Sequence, residues 1–161
     1  MMAETYRDVT PEILSRLGIK LLICDIDNTL VTYDDPEPTA ELSEWFRGLS
    51  DAGIAVAFVS NNHAERVNLF NRDLGYTAFA DAHKPGIRCI TETMERHAVS
   101  KGETALLGDQ LLTDAAAANH AGIYSIIVPP IKDKKSLFFR MKRLIEKPYI
   151  KKYKKRSVHR I

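Results

Sequence analysis

The chain has little cysteine: Cys24 and Cys89 are the two in its 161 residues. Two cysteines without metal-ligand spacing exclude a disulfide framework and a zinc-binding motif. Cys24 lies inside an apolar run, where cysteine behaves as a small buried hydrophobe. We therefore expect a protein of the reducing cytoplasm.

Long apolar runs are also missing. No stretch reaches the ~18 apolar residues of a transmembrane helix, and the polar segment 1–10 lacks the apolar core of a secretory signal. The length, with a hydrophobic content of 45% and a charged content of 27%, is typical of one globular domain. These features favour a cytoplasmic protein that is at most peripheral to a membrane.

The charges are unevenly distributed, although the net charge is only +2. Residues 132–161 carry 13 Lys and Arg against 2 Asp and Glu (+11), which leaves 10 basic and 19 acidic residues in 1–131 (−9). We therefore divide the chain into a core, 1–131, and a basic C-terminal helix and tail, 132–161, with the helix predicted over 133–146. Such asymmetry indicates an anionic partner, either nucleic acid or a membrane surface. A solvated charge run, or a helix docked on the core, is the structural alternative.

Strand-like and helix-like segments alternate along the core. Thr39 is suited to cap the first of the predicted helices and Thr113 the last. This alternation predicts an α/β fold whose parallel sheet is covered by helices. Strands are predicted over 20–26, 55–60, 77–81, 104–108 and 124–128, and helices over 39–52, 63–74, 86–99 and 113–121.

Four polar clusters each follow a predicted strand or lie just beyond one. They are DIDNT (25–29), SNN (60–62), KP (84–85) and GDQLLTD (108–114). Because parallel strands bring their carboxyl ends to one edge of a sheet, the clusters meet around one crevice. Close carboxylates repel each other, so their presence indicates a metal site or a nucleophile beside an acid. Taken singly, each cluster is also explained by turn residues, or for Lys84 by an exposed surface position.

The order and spacing of these clusters resemble the four signature motifs of the haloacid dehalogenase (HAD) superfamily. Within it the chain is most similar to subclass IIIA and to the small bacterial YqeG-type phosphatases, which are related to mitochondrial phosphatidylglycerophosphate phosphatase. The resemblance covers 20–128 and implies a Rossmann-like three-layer α/β/α sandwich with a central parallel sheet. The stretches between the first three motifs are too short for the cap domain that enters there in this superfamily. We therefore expect a capless fold with an open site.

The resemblance also assigns catalytic roles. It implies that Asp25 is the nucleophile, which forms an aspartyl-phosphate, and that Asp27 is the general acid and base. Mg²⁺ is the implied cofactor, because it prefers hard oxygen ligands. Its implied ligands are the carboxylate of Asp25, the backbone carbonyl of Asp27 and the side chain of Asp109. Asp114 would be a further ligand or would hold a metal-bound water.

The remaining motif residues are implied to bind the substrate. Lys84 would offset the negative charge of the phosphoryl group and of the nucleophile, and would also count as catalytic. Pro85 suits the first position of a helix whose N-terminus faces the site. Ser60 would contact the phosphoryl group during catalysis. The predicted substrate-binding set is Asn28, Thr29, Ser60, Asn61 and Lys84.

The second aspartate favours phosphomonoester hydrolysis over dehalogenation, because a departing halide needs no proton whereas an alkoxide does. Phosphatidylglycerophosphate, sugar phosphates, nucleotides and nucleic-acid ends stay open as substrates, and a HAD-fold RNA- or ribosome-binding protein is the non-enzymatic alternative. The loop 32–35 would be a small flap, and a homo-oligomer could cover the site further. His63, Arg66 and His83 lie beside the motifs and are further candidates for substrate contact, although exposed or capping roles are commoner for such neighbours.

Overall fold

The structure is a computed structural model that describes residues 1–132. The predicted basic helix over 133–146 and the rest of the tail lie outside the described residues. The division of the chain at residue 131 therefore stays a prediction. No helix within 1–132 is long and apolar enough to cross a bilayer.

Five parallel strands form one sheet in the order β3–β2–β1–β4–β5. β1 lies at the centre, where Cys24 is opposite Phe58 of β2 and Leu107 of β4. All five predicted strands are confirmed, with ends that differ by two residues at most. The strands are β1 (Leu21–Cys24), β2 (Ala55–Val59), β3 (Thr77–Phe79), β4 (Thr104–Gly108) and β5 (Tyr124–Ile127).

Helices cover both faces of the sheet. Side chains alternate along β1, so Leu22 packs into one buried cluster with α1, α2 and α3, while Leu21 packs into another with α4 and α5. The predicted three-layer α/β/α sandwich is confirmed. The helices are α1 (Pro11–Arg16), α2 (Ala40–Asp51), α3 (Ala64–Asn71), α4 (Arg88–Arg96) and α5 (Ala116–Ala121), with 3₁₀ turns at Tyr6–Asp8 and Lys101–Glu103 and a π-helical segment at Leu111–Ala115.

Two stretches could have held a cap domain, and both are fully described. Between β1 and β2 the chain forms one helix, α2, and between β2 and Lys84 it forms α3 and β3. Both stretches are used up in building the sandwich itself. The expected capless fold is therefore confirmed, and within residues 1–132 no separate domain lies above the ends of the strands.

Local capping follows the sequence at α2 but not at α5. The hydroxyl of Thr39 accepts the backbone N–H of Leu42, as predicted. Thr113 does not cap a helix; it lies inside the π-helical segment, and the carboxylate of Asp114 accepts the N–H of Gln110 instead (3.0 Å). Neither Gln110, which precedes the π-helical segment, nor Ala115, which precedes α5, forms a side-chain cap.

Two further helix starts differ from the prediction. Pro85 is not the first residue of α4, which begins at Arg88, because Gly86 donates its N–H to His83 and closes a turn first (2.9 Å). The sequence reasoning also missed α1. Its signal was present: Thr10 caps the helix and Pro11 occupies its first turn, a combination typical of helix starts.

Candidate active site

The four motifs meet at the carboxyl edge of the sheet. Asp25 follows β1 directly, Ser60 follows β2, and Asp109 follows β4. The backbone N–H of Asp25 donates to Leu107 (2.9 Å), so the pairing of β1 with β4 continues into the first motif. The parallel sheet therefore places these side chains together because each lies one residue beyond its strand.

Lys84 is the centre of the site. Its side chain is 1% exposed, and its Nζ lies 2.7 Å from Asp25 Oδ1 and 2.7 Å from Asp114 Oδ1. Burial disfavours the ammonium, but the carboxylates of Asp114 and Asp25 outweigh that penalty and raise the pKa of Lys84. The lysine is therefore a charged group held between two carboxylates.

Asn61 fixes the backbone of Lys84. Its side-chain oxygen accepts the N–H of Lys84 (2.7 Å) and its amide donates to the carbonyl of the same residue (3.1 Å). These two bonds join the second motif to the third. Asn61 was predicted to bind substrate, and the structure gives its amide this positioning contact.

Three carboxylates form an acidic cluster, namely Asp25, Asp109 and Asp114. One oxygen of each lies within 4.8 Å of the other two. Burial, followed by the charges of Asp25 and Asp114, raises the pKa of Asp109 to about 8. Burial likewise raises the pKa of Asp25, although Lys84 opposes the shift. The cluster has three carboxyl groups and one ammonium, and the hard oxygen atoms of the carboxyl groups are the donors that suit Mg²⁺.

The carboxylate of Asp27 is not part of this cluster. The carboxylate of Asp27 is held by Arg66, whose Nε and Nη2 lie 3.0 and 2.9 Å from Oδ1, and by Asn62, whose Nδ2 lies 2.9 Å from Oδ2. Sequence reasoning considered Arg66 only as a substrate contact and gave no role to Asn62. The signal for Asn62 was its place at the end of the second motif.

The turn formed by the first motif brings the hydroxyl of Thr29 into contact with the carboxylates of Asp25 and Asp109. Asn28 has a positive φ of 68°, and its N–H donates to Val31 (2.7 Å), which closes the turn. Thr29 is buried, with its hydroxyl 3.3 Å from Asp25 Oδ2 and 3.5 Å from Asp109 Oδ1. Thr29 was predicted to bind substrate; in the structure its hydroxyl bridges the two carboxylates.

Several of the predicted substrate-binding residues already have partners within the chain, among them Asn28 and Ser60. The side chain of Asn28 bonds to the backbone of Lys132 at both ends (2.8 and 3.2 Å), and the hydroxyl of Ser60 accepts the N–H of Asn62 (3.1 Å). Nδ1 of His63 lies 2.8 Å from Oδ1 of Asp81, and both side chains are exposed. His83 is exposed beside Lys84. The amide of Asn28 is thus already occupied by the chain itself.

The loop 32–35 brings Tyr33 close enough to the acidic cluster to be affected by its charge. Asp35 accepts the N–H and the hydroxyl of Thr32 (3.0 and 2.6 Å), which closes the loop on itself. Tyr33 is partly buried; that burial, and then the charge of Asp109, raises its pKa. The phenol therefore stays neutral.

Comparison with known proteins places the chain in a family. The model of the haloacid dehalogenase-like hydrolases matches residues 2–128. A Bacillus subtilis (strain 168) protein named "Probable phosphatase YqeG" is 35% identical over 149 residues, which is 92% of this chain and 87% of that protein.

Solved structures show the same fold at low identity. The cobalt-bound deoxy-D-mannose-octulosonate 8-phosphate phosphatase of Haemophilus influenzae is 19% identical with a TM-score of 0.57, covering 81% of this chain and 89% of that one. The 3-deoxy-D-manno-octulosonate 8-phosphate phosphatase of Moraxella catarrhalis, solved with magnesium, phosphate and sugar, is 15% identical with a TM-score of 0.50, covering 84% and 91%. The family model and the Bacillus subtilis relative confirm the resemblance of the four motifs to the haloacid dehalogenase superfamily, and the chain belongs to the haloacid dehalogenase-like hydrolase family.

Proposed function

We propose that the protein is a Mg²⁺-dependent phosphomonoester phosphatase that works through an aspartyl-phosphate on Asp25. The observation that carries this proposal is the buried Lys84 ammonium between Asp25 and Asp114, with Asp109 beside them. A phosphoryl group brought to Asp25 would meet a fixed positive charge and a set of oxygen ligands for a cation. Those are the groups that phosphoryl transfer requires.

In the proposed reaction Asp25 is the nucleophile and Asp27 is the acid and then the base. A carboxylate oxygen of Asp25 attacks phosphorus, the bond from phosphorus to the ester oxygen breaks, and a proton from Asp27 converts the departing alkoxide to an alcohol. Water then attacks the phosphorus of the aspartyl-phosphate and gives its proton to Asp27. The bond to Asp25 breaks, and inorganic phosphate leaves. Each step balances without a co-reactant other than water.

The other side chains bind and orient the phosphoryl group. Lys84 neutralises charge on Asp25 and on the phosphoryl oxygens, and Ser60 and Thr29 have hydroxyls at the same edge of the sheet. The carboxylates of Asp25, Asp109 and Asp114, with the backbone carbonyl of Asp27, would hold Mg²⁺. When bound, the cation supplies further charge neutralisation of the phosphoryl oxygens.

The comparisons support the phosphatase assignment over other hydrolase chemistry. The Bacillus subtilis relative carries the name of a phosphatase, and the Haemophilus influenzae and Moraxella catarrhalis proteins of the same fold are sugar-phosphate phosphatases. One of these was solved with cobalt and the other with magnesium, in support of a divalent cation at this fold's site. The presence of Asp27 supports an alkoxide leaving group, which needs a proton.

For the substrate we propose phosphatidylglycerophosphate first. The open site admits a headgroup at a bilayer, and the charge of +11 in 132–161 suits an anionic surface, which would make the protein cytoplasmic and peripheral to the membrane. The same charge favours a second candidate, the phosphorylated end of a nucleic acid. In either case 1–131 would carry the chemistry, and the tail, or a second copy in a homo-oligomer, would supply the missing cover.

Turnover of p-nitrophenyl phosphate tests the reaction. We expect activity with Mg²⁺, none with EDTA, and none in Asp25→Asn. Activity that survives Asp25→Asn would overturn the covalent mechanism. Hydrolysis of phosphatidylglycerophosphate in anionic vesicles, of 3′- and 5′-phosphorylated oligonucleotides, and of sugar phosphates then identifies the substrate class.

A full-length variant tests the tail. Replacing Lys151, Lys152, Lys154 and Lys155 by Gln removes charge while the core is left unchanged. We expect a loss of activity on vesicles with turnover of p-nitrophenyl phosphate unchanged. A loss confined to oligonucleotides would favour the second candidate, and RNA binding without turnover of any ester would favour a binding protein.

A further inference from the structure

The carboxylate of Asp27 receives three hydrogen bonds that are unequally divided between its two oxygens. Arg66 donates two of them, from Nε and Nη2, to Oδ1 (3.0 and 2.9 Å). Asn62 donates one, from Nδ2, to Oδ2 (2.9 Å). Oδ1 therefore faces the cationic guanidinium with two donors, whereas Oδ2 accepts a single bond from a neutral amide and is the less occupied oxygen.

We propose that Arg66 is a positioning residue that holds Asp27 so that Oδ2 is the oxygen that exchanges the proton with the leaving group and with water. This inference rests on the proposed function, since it concerns the acid of that reaction. Arg66 itself does not react. It fixes which edge of the carboxylate is presented, and a misplaced acid is costly because proton transfer needs hydrogen-bond distance in the transition state.

The guanidinium of Arg66 is held in place by further contacts. Its Nη1 donates to the carbonyl of Pro36 (2.8 Å), and its Cζ lies 5.7 Å from the centre of the Phe70 ring, one helical turn further along α3. The side chains of Arg66 and Asp27 are 15% and 6% exposed. A planar donor with this many fixed partners holds orientation, which a lysine ammonium does not reproduce.

The contact with Pro36 gives Arg66 a second consequence. Pro36 directly follows the loop 32–35, so one guanidinium joins that loop, α3 and the carboxylate of Asp27. Arg66 therefore contacts both the residue that follows this loop and the carboxylate of the acid. A simple ion pair for stability would explain the contact with Asp27 but gives no reason for both guanidinium donors to converge on one oxygen.

The dependence of kcat/KM on the leaving group distinguishes positioning of Asp27 by Arg66 from other roles of Arg66. An alkoxide needs the proton of Asp27 to depart, whereas p-nitrophenolate leaves readily without it. We compare kcat/KM for p-nitrophenyl phosphate with kcat/KM for an alkyl phosphomonoester that the wild type hydrolyses, in Arg66→Met, Arg66→Lys and a control, Arg72→Met. Arg72 suits this purpose because it joins the end of α3 to Glu37 of the same connection (2.6 Å) and does not contact Asp27.

In Arg66→Met we expect kcat/KM for the alkyl ester to fall at least about ten-fold more than for the aryl ester, out of the ~10²–10⁴-fold that general acid catalysis supplies. Arg66→Lys keeps the charge and should show the same inequality, and Arg72→Met should show none. If both esters lose equally, if the loss is confined to a higher KM, or if Arg72→Met gives the same split, the positioning role is overturned.

The same experiment distinguishes failure of the proposed function from failure of this inference. A wild type without Asp25-dependent turnover of either ester would overturn the phosphatase mechanism and with it this inference. An active wild type in which the Arg66 variants show no leaving-group effect overturns the inference alone. Arg66→Lys also covers the case in which Arg66→Met does not fold.

Discussion

The side chain of Asp114 packs directly against the backbone of Gly108. A Cβ at residue 108 would lie 2.4 Å from Asp114 Cγ and 2.6 Å from its Oδ2, far inside van der Waals contact. Gly108 has no positive φ, so the close approach, and not an unusual backbone conformation, is what requires glycine. Gly108, the last residue of β4, therefore leaves the space that the side chain of Asp114 occupies when it contacts Lys84.

Gly108→Ala should consequently displace Asp114. We expect a loss of about 1–3 kcal/mol in the free energy of unfolding, as for other overpacked sites, and a weaker stabilisation by Mg²⁺ in thermal melts. Gly102→Ala is the matched control, because a Cβ there meets nothing within 4 Å and the residue is exposed. Equal Mg²⁺ dependence in Gly108→Ala and Gly102→Ala would contradict a role for this approach.

Lys84→Met should leave Asp25 and Asp114 as buried carboxylates without a partner. Breaking a buried ion pair on one side costs about 3–5 kcal/mol, and loss of the charge facing the phosphoryl group should lower kcat by roughly 10²-fold or more. Urea unfolding in EDTA measures the first effect and steady-state turnover the second. The control is Lys20→Met, since Lys20 is exposed and pairs with Glu103 at the surface.

The pH dependence of the Lys84→Met effect provides a further check. The destabilisation should shrink toward pH 4, because burial raises the pKa of Asp25 and protonation of this carboxylate removes a charge that Lys84 otherwise balances. Lys20→Met should change stability by less than about 1 kcal/mol, as exposed ion pairs do. A destabilisation by Lys84→Met that does not vary with pH would indicate a packing effect alone.

Much of the site could be anticipated from the chain because its signals are local. Asp25 and Asp109 each follow an apolar run that predicts a buried strand, and parallel pairing then brings them to one edge. The burial of Lys84 had no such signal, since a single lysine in a loop is usually exposed. Only the fold, which carries Lys84 between Asp25 and Asp114, explains its 1% exposure.

Contacts between distant residues account for the rest of what the sequence reasoning missed. Arg66 and Asp27 are 39 positions apart, and no periodicity of either segment indicates that they meet. The π-helical segment at Leu111–Ala115 is a similar case. Its sequence resembles an ordinary helix start with Thr113 as the cap, and the preference of Asp114 for Gln110 depends on the space beside Gly108.

The raised pKa of Asp109 predicts how stability varies with pH when no divalent cation is bound. The carboxyl has a pKa of about 8 in the folded protein and of 3.8 as its ordinary value. Between these values the folded state binds more protons than the unfolded state, so the free energy of unfolding falls as pH rises. In EDTA we therefore expect the melting temperature to decrease from about pH 4 to about pH 8.

Mg²⁺ should reverse this loss, because a cation bound by deprotonated carboxylates takes the place of the protons. The rise in melting temperature on adding Mg²⁺ should be larger at pH 8 than at pH 5. Asp109→Asn removes the titrating group and should flatten both dependences, whereas Asp51→Asn, at the exposed end of α2, should preserve them. An unchanged pH dependence in Asp109→Asn would show that another group is responsible.

Asp27→Asn should separate the two halves of the reaction. An aryl phosphate still phosphorylates Asp25, because its phenolate leaves without a proton, but hydrolysis of the aspartyl-phosphate lacks the base that accepts the proton of water. We expect a rapid release of p-nitrophenol stoichiometric with protein, then a steady state slower than wild type by roughly 10²-fold. Mass spectrometry of acid-quenched protein should detect one added phosphoryl group.

The double variant Asp25→Asn/Asp27→Asn should show neither the burst nor the adduct, since the nucleophile is gone, and Asp51→Asn should behave as wild type. A slow Asp27→Asn enzyme without a burst would mean that Asp27 acts before or during transfer to Asp25 even for this leaving group, and not in the hydrolysis that follows.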